Sequence, residues 1–193
     1  MTDSGNHRAK ALFLDRDGVI NVDKGYVYRR DQIEFVDGIF DLCRSAVARR
    51  YLIVVVTNQA GVARGYYGES EVRELHSWIN ERFRERGVAI ERFYYCPYHP
   101  EHGVGHYRRE SECRKPRPGM ILQAATDLRI DLEQSTLIGD KASDITAGVS
   151  AGVSVNILIG GPQTPTGANA PTHIFPSVRC AASWFASNLP TCP

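Results

Sequence analysis

Two short apolar runs dictate most of what this chain can become. "KALFLD" (residues 10–15) and "YLIVVVTN" (51–58) are each the length of a strand, show no polar alternation and break off into polar residues. That is the pattern of strands buried on both faces of a parallel sheet. Between them Ile39, Leu42, Ala46 and Val47 recur at helical spacing over Gly38–Arg50, and the closing arginines suit a helix C-terminus. Strand, helix and strand in that order form a right-handed crossover unit.

The unit repeats along the chain. A helix is predicted over Glu69–Arg86, a strand near "ERFYYC", a helix over Pro118–Leu128, the strand "STLIGD" and a helix over Ser143–Ala151. The strand "VSVNIL", a short strand near "THIF" and a last helix over Ser177–Ser187 complete the series. Such alternation predicts an α/β fold with a three-layer, Rossmann-like parallel sheet carrying helices on both faces. At 193 residues the expectation is one domain, with 1–8 flexible and 96–114 a long loop near the active site.

Charge and composition narrow the function. The 23 Lys+Arg and 22 Asp+Glu leave a net charge of +1, which offers no basic stripe to a nucleic acid or an anionic membrane. The start, "MTDSGNHRAK", has no apolar run of the signal-peptide kind, and no segment approaches the roughly 18 apolar residues of a membrane span. A cytoplasmic protein, read as a monomer, is expected. Five cysteines, an odd number at irregular spacings, argue against a disulfide framework.

In a sheet of this kind ligands bind beyond the carboxyl ends of the strands. Those ends carry Asp15 and Asp17, then Thr57 and Asn58, then Asp140. Carboxylates meeting at one edge repel each other unless a cation neutralises them, and oxygen ligands suit Mg²⁺, which keeps positions open for phosphate oxygens. Asp15 is then a candidate nucleophile, since an ionised carboxylate attacks phosphorus without first losing a proton. Asp17, carried past the strand by a turn that Gly18 eases, is the candidate acid and then base. Thr57 and Asn58 supply neutral donors, and Lys115 a positive charge where the transition state spreads negative charge.

Four segments, "DRDGVI", "VVVTNQAGVARG", "CRKPRPGM" and "LIGDKASDI", resemble in order the motifs of the haloacid dehalogenase-like phosphohydrolases. "INVDKGYV", "FVDGI" and "CPYHP" extend the resemblance, over about residues 9 to 160, to the D-glycero-D-manno-heptose 1,7-bisphosphate phosphatases and their sister histidinol-phosphate phosphatases. The resemblance implies a fold without a large cap domain and an aspartyl phosphate on Asp15, with Asp17 moving the protons. It places Mg²⁺ on the Asp15 side chain, the Asp17 carbonyl and Asp140, with Thr57 and Lys115 steadying the phosphoryl group. Asn58, Gln59 and Ala60 follow along the same loop, while Asp23, Lys24, Gly25, Tyr26, Arg114 and Lys141 would contact a sugar phosphate. The implied reaction is removal of the C7 phosphate of the heptose bisphosphate in bacterial nucleotide-heptose synthesis. Histidinol-phosphate hydrolysis and non-catalytic phosphosugar binding are the alternatives.

Three further positions stay open at this level. Arg64 is either a substrate contact or a solvated loop residue, Tyr26 either meets substrate or packs, and His76, in a helix with polar neighbours, is read as a surface residue. The relatives commonly hold a structural zinc through C-x-H and C-x-C pairs. Here "CPYHPEHGVGHYRRESECRKP" keeps Cys96 and Cys113 but has Tyr98 and Ser111 at the other two positions. Phenol and hydroxyl are poor zinc ligands at neutral pH. A rearranged site on Cys96, His99 and Cys113 is the remaining zinc reading, and the expectation is weak or absent zinc.

Overall fold

The computed structural model describes residues 8–160 and 165–188. The start expected to be flexible therefore lies, apart from residue 8, outside the described residues. Six strands form one sheet: β1 (Lys10–Leu14), β2 (Tyr51–Asn58), β3 (Ile90–Cys96), β4 (Thr136–Gly139), β5 (Val155–Ile159) and β6 (His173–Phe175). Their order is β3-β2-β1-β4-β5-β6, every neighbouring pair parallel. The helices are α1 (Ile39–Ala48), α2 (Ala60–Ala63), α3 (Glu69–Arg84), α4 (Gly119–Asp127), α5 (Ala142–Ala151) and α6 (Val178–Asn188). All the predicted strands and helices are present. The unpredicted α2 is a single turn directly after the end of β2.

The apolar runs are continuous because both faces of the sheet are covered. Leu12 and Leu14 of β1, with Ile53 and Val55 of β2, face a core that includes Ile39 and Leu42 of α1, Ile79 and Phe83 of α3, and Phe185 of α6. Ala11, Phe13, Val54 and Val56 face the other side, where Met120, Ile121 and Ala124 of α4 meet Ile145 and Ala147 of α5. Phe13 is wholly buried, and truncating such a side chain to alanine costs about 3–5 kcal/mol. These two cores hold β1 rigid from both faces, so its C-terminal end is a fixed platform.

The direction of winding reverses beside β1, which pairs with β2 on one side and β4 on the other. Such a reversal leaves a crevice at the strand ends, where neither crossover covers the sheet. Among the described residues no helix is long and apolar enough to cross a membrane.

Candidate active site

At the tip of β1, the Asp15 N–H donates to the Ile138 carbonyl at 3.0 Å, which extends the β1–β4 pairing by one residue. The Asp15 carboxylate is then buried against Lys115, whose Nζ lies 2.9 Å from Oδ1. The same ammonium pairs with Asp144 at 2.5 Å and donates to the Val56 carbonyl at 2.8 Å. An ammonium has three protons, and three oxygens surround this one. The backbone of Lys115 is gripped in turn by Asn58, whose Oδ1 accepts its N–H at 3.1 Å and whose Nδ2 donates to its carbonyl at 3.0 Å. The end of β2 thus presents the lysine from a loop nearly sixty residues away.

Carboxylate oxygens of Asp15, Asp140 and Asp144 all lie within 4.8 Å of one another. Burial raises the Asp15 pKa, with Lys115 opposing the rise. Lys115 itself is disfavoured as a cation by burial, but Asp144 and Asp15 outweigh this and raise its pKa. Asp140 is pushed up to about 7, by burial first and by the Asp15 charge second. Its Oδ1 is buried with no hydrogen-bond partner among the described residues. A hard dication bound by oxygen ligands fits this set: it would supply the partner that Asp140 lacks and lower carboxylates that burial has raised. The sequence reading paired Asp140 with Asp15 and Asp17. In the structure Asp144 completes the carboxylate trio, and the Asp17 side chain is engaged elsewhere.

That engagement is extensive. The Asp17 carboxylate accepts from Arg16 Nη2 at 2.8 Å and Nε at 3.3 Å, from Asn21 Nδ2 at 2.9 Å and from Gln59 Nε2 at 3.4 Å. Gln59 also donates to Thr57 Oγ1 at 3.0 Å and accepts from the Tyr67 hydroxyl at 3.0 Å, so one buried amide aligns both Thr57 and Asp17. Gly18 follows at φ +95°, and a Cβ there would sit 2.2 Å from Asp140 Oδ2. Only glycine permits both that turn and that approach.

His76 corrects the sequence reading. It is buried on α3, its ring stacked on Phe93, with Nε2 3.4 Å from Arg16 Nη1. Burial, then the Arg16 charge, holds its pKa well below the usual imidazole value. The signal was available in the apolar spacing: Val72, Leu75, Ile79 and Phe83 are the other buried positions of α3, and His76 lies on their stripe.

A cleft of about 490 Å³ opens above these groups and is lined in part by Asp17, Tyr26, Asn58, Arg114, Lys115 and Lys141. Asp23, Gly25, Gln59 and Ala60 also border it. Lys141 Nζ bonds Asp23 Oδ2 at 2.9 Å, tying the start of α5 to the segment after β1. Lys24 is not among the lining residues, and its ammonium pairs with Glu34 at 2.9 Å. Arg64 stands over the Tyr26 ring at 5.7 Å, and its Nε is buried without a hydrogen-bond partner among the described residues. In the loop after β3, Ser111 Oγ is 3.0 Å from Cys113 Sγ, and hydrogen bonds from Cys96 and Ser111 lower the Cys113 thiol to about 7. His99 Nδ1 instead accepts the N–H groups of Glu101 and His102. Among the described residues the only trio of potential metal ligands is the aspartate one; Cys96 and Cys113 lie side by side, and His99 does not complete a trio with them.

The chain is 54% identical over 150 residues to the D-glycero-alpha-D-manno-heptose-1,7-bisphosphate 7-phosphatase of Burkholderia mallei, covering 78% of this chain and 79% of that one. The chain belongs to that phosphatase family. It is 45% identical over 171 residues to the beta-named counterpart from Vibrio cholerae, covering 88% of this chain and 92% of the relative. Residues 112–181 match the HAD-hydrolase-like family model. A crystal structure of D,D-heptose 1,7-bisphosphate phosphatase from B. bronchiseptica, complexed with magnesium and phosphate, superposes with a TM-score of 0.78 at 25% identity, covering 93% of this chain and 99% of that one. Family membership makes the chain a phosphatase and accords with the Rossmann-like layers described above.

Proposed function

We propose that the chain is a Mg²⁺-dependent phosphatase that removes the C7 phosphate of D-glycero-D-manno-heptose 1,7-bisphosphate by double displacement through Asp15. The observation that carries the reading is the Lys115 ammonium fixed between Asp15 and Asp144, beside an Asp140 oxygen that lacks a partner. Asp15, Asp140 and the Asp17 carbonyl would hold Mg²⁺. When bound, the ion offsets the carboxylate charge and draws electron density from a phosphoryl oxygen.

In the first displacement an Asp15 oxygen forms a bond to phosphorus as the bond to the sugar oxygen breaks, and Asp17 delivers a proton to that departing oxygen. In the second, Asp17 takes a proton from water, the water oxygen bonds to phosphorus, and the Asp15 carboxylate is released with inorganic phosphate. Lys115 and Thr57 face the charge that spreads over the phosphoryl oxygens, where fixed donors act without reorganisation. Arg114 lines the same cleft, and its planar fork suits the phosphate that stays on the sugar. Of the relatives named above, that of B. mallei is named for the alpha anomer and that of V. cholerae for the beta anomer. The proposed setting is nucleotide-heptose synthesis in the cytoplasm, with the chain acting as a monomer.

The test is phosphate release with Mg²⁺ on the α and β heptose bisphosphates and on histidinol phosphate, side by side. The heptose compounds are expected to turn over faster, and Asp15→Asn is expected to abolish turnover while leaving the fold intact. Faster histidinol phosphate hydrolysis would overturn the substrate assignment, and wild-type turnover by Asp15→Asn would remove Asp15 as nucleophile.

A further inference from the structure

Arg16 stands between the two aspartates of β1's tip, yet it is wholly buried. A guanidinium is tolerated there only where its donors are satisfied. Its Nη2 reaches the Asp17 carboxylate at 2.8 Å and the Val27 carbonyl at 2.6 Å, its Nε reaches Asp17, and its Nη1 faces His76 Nε2. Val27 closes the Asp23–Tyr26 segment that borders the cleft. One side chain therefore joins the proton-carrying carboxylate to the backbone of the segment expected to meet the sugar.

What holds Arg16 on that line is His76. Its ring is wedged between Arg16 and the β3 aromatics, stacked on Phe93 at 4.5 Å and edge-on to Tyr95 at 5.8 Å. A neutral imidazole offers one acceptor nitrogen, and here Nε2 is the one turned to Arg16, which places the ring proton on Nδ1. We propose that His76 is a positioning residue for proton transfer: by fixing Arg16 it holds the Asp17 carboxylate in register with the Asp23–Val27 segment. The role rests on the assignment of Asp17 as acid and base above. His76 does not line the cleft, so its effect falls on the two steps in which Asp17 moves a proton, of which kcat/KM reads the protonation of the departing oxygen and not the later attack of water, and leaves binding largely alone.

Two substrates separate this from a merely structural role. An alkyl phosphate such as the heptose bisphosphate needs its departing oxygen protonated, whereas p-nitrophenyl phosphate releases a phenolate that leaves without a proton. In His76→Phe, which keeps the stacking and removes the acceptor, kcat/KM on the heptose bisphosphate is expected to fall about tenfold or more, the scale of a lost hydrogen bond to a charged group. On p-nitrophenyl phosphate it should change less than about twofold, with KM for both near wild type. His76→Gln, which restores an acceptor, should recover most of the loss. Should His76→Phe fail to fold, as judged by circular dichroism, His76→Ala carries the same comparison. Equal losses on both substrates, no loss on either in a folded variant, or no rescue by glutamine would each overturn the proposal. Asp15→Asn run in parallel keeps the two readings apart: if it is inactive while the His76 variants turn over like wild type, only the positioning role falls, and if it is fully active the underlying mechanism falls.

Discussion

Replacing Asp140 with asparagine should stabilise the metal-free protein at neutral and alkaline pH. The folded chain raises this carboxyl from 3.8 to about 7. Between those values the folded state keeps a proton that the unfolded chain releases, so stability falls as pH rises through the window and stays reduced above it. A shift of about three units bounds the cost near 4 kcal/mol at roughly 1.4 kcal/mol per unit. The side chain is 21% exposed, and water at that opening screens part of the effect, leaving about 2 kcal/mol. For a domain of this size that corresponds to about 4–8 °C in Tm.

Thermal melts of wild type and Asp140→Asn in EDTA, taken from pH 4 to pH 8, read the difference directly. The variant should match wild type near pH 4 and melt several degrees higher at pH 8. Added Mg²⁺ should reverse the order, because only the wild type gains the linkage stabilisation of a ligand bound to the folded state. A variant that melts at or below wild type at pH 8 in EDTA would refute the claim that the Asp140 charge is held there at a cost.

Two other perturbations test the cleft and the loop. Arg114→Lys keeps the charge but loses the planar fork, so KM for the bisphosphate should rise about tenfold with kcat nearly unchanged, a loss much reduced on a sugar monophosphate; steady-state kinetics on both substrates decide it. Because Ser111 Oγ already lies 3.0 Å from Cys113 Sγ, the double variant Tyr98→His with Ser111→Cys should retain one zinc per chain through dialysis against a weak chelator. Wild type should hold well under one equivalent, as measured by metal analysis of the two purified proteins.

The order of strands and helices was legible because buried parallel strands write themselves as unbroken apolar runs, and the strand-end rule then collected Asp15, Thr57 and Asp140 from distant segments. Lys115 was legible as a charge and not as a buried one. Its depth comes from Asn58 gripping its backbone, a side-chain contact that no periodicity records. Arg16 was passed over because an arginine beside two aspartates looks like a solvated charge; the Asp17 carboxylate, the Val27 carbonyl and His76, 60 residues away, together make its burial possible. Asp144 was hidden by its place in the first turn of α5, where an acidic residue reads as a helix cap. It does cap the helix, accepting the Lys141 N–H at 3.0 Å, while its other oxygen meets Lys115.

The central position of β1 bears on how this protein is born. The hydrogen bond that the Ala11 N–H donates to Ser135 Oγ spans 124 residues, and β4 pairs with β1 at the same separation scale. During synthesis β1 and β2 emerge early, but one flank of β1 stays an unpaired, apolar edge until β4 has left the ribosome, at a rate of roughly 5–20 residues per second. Long-range parallel pairing of this kind is slow and leaves sticky edges exposed. A nascent chain stopped before residue 136 therefore carries Asp15 and Lys115 but neither Asp140 nor Asp144, which meet them in the folded site, and it is the species that chaperones and proteases would have to watch.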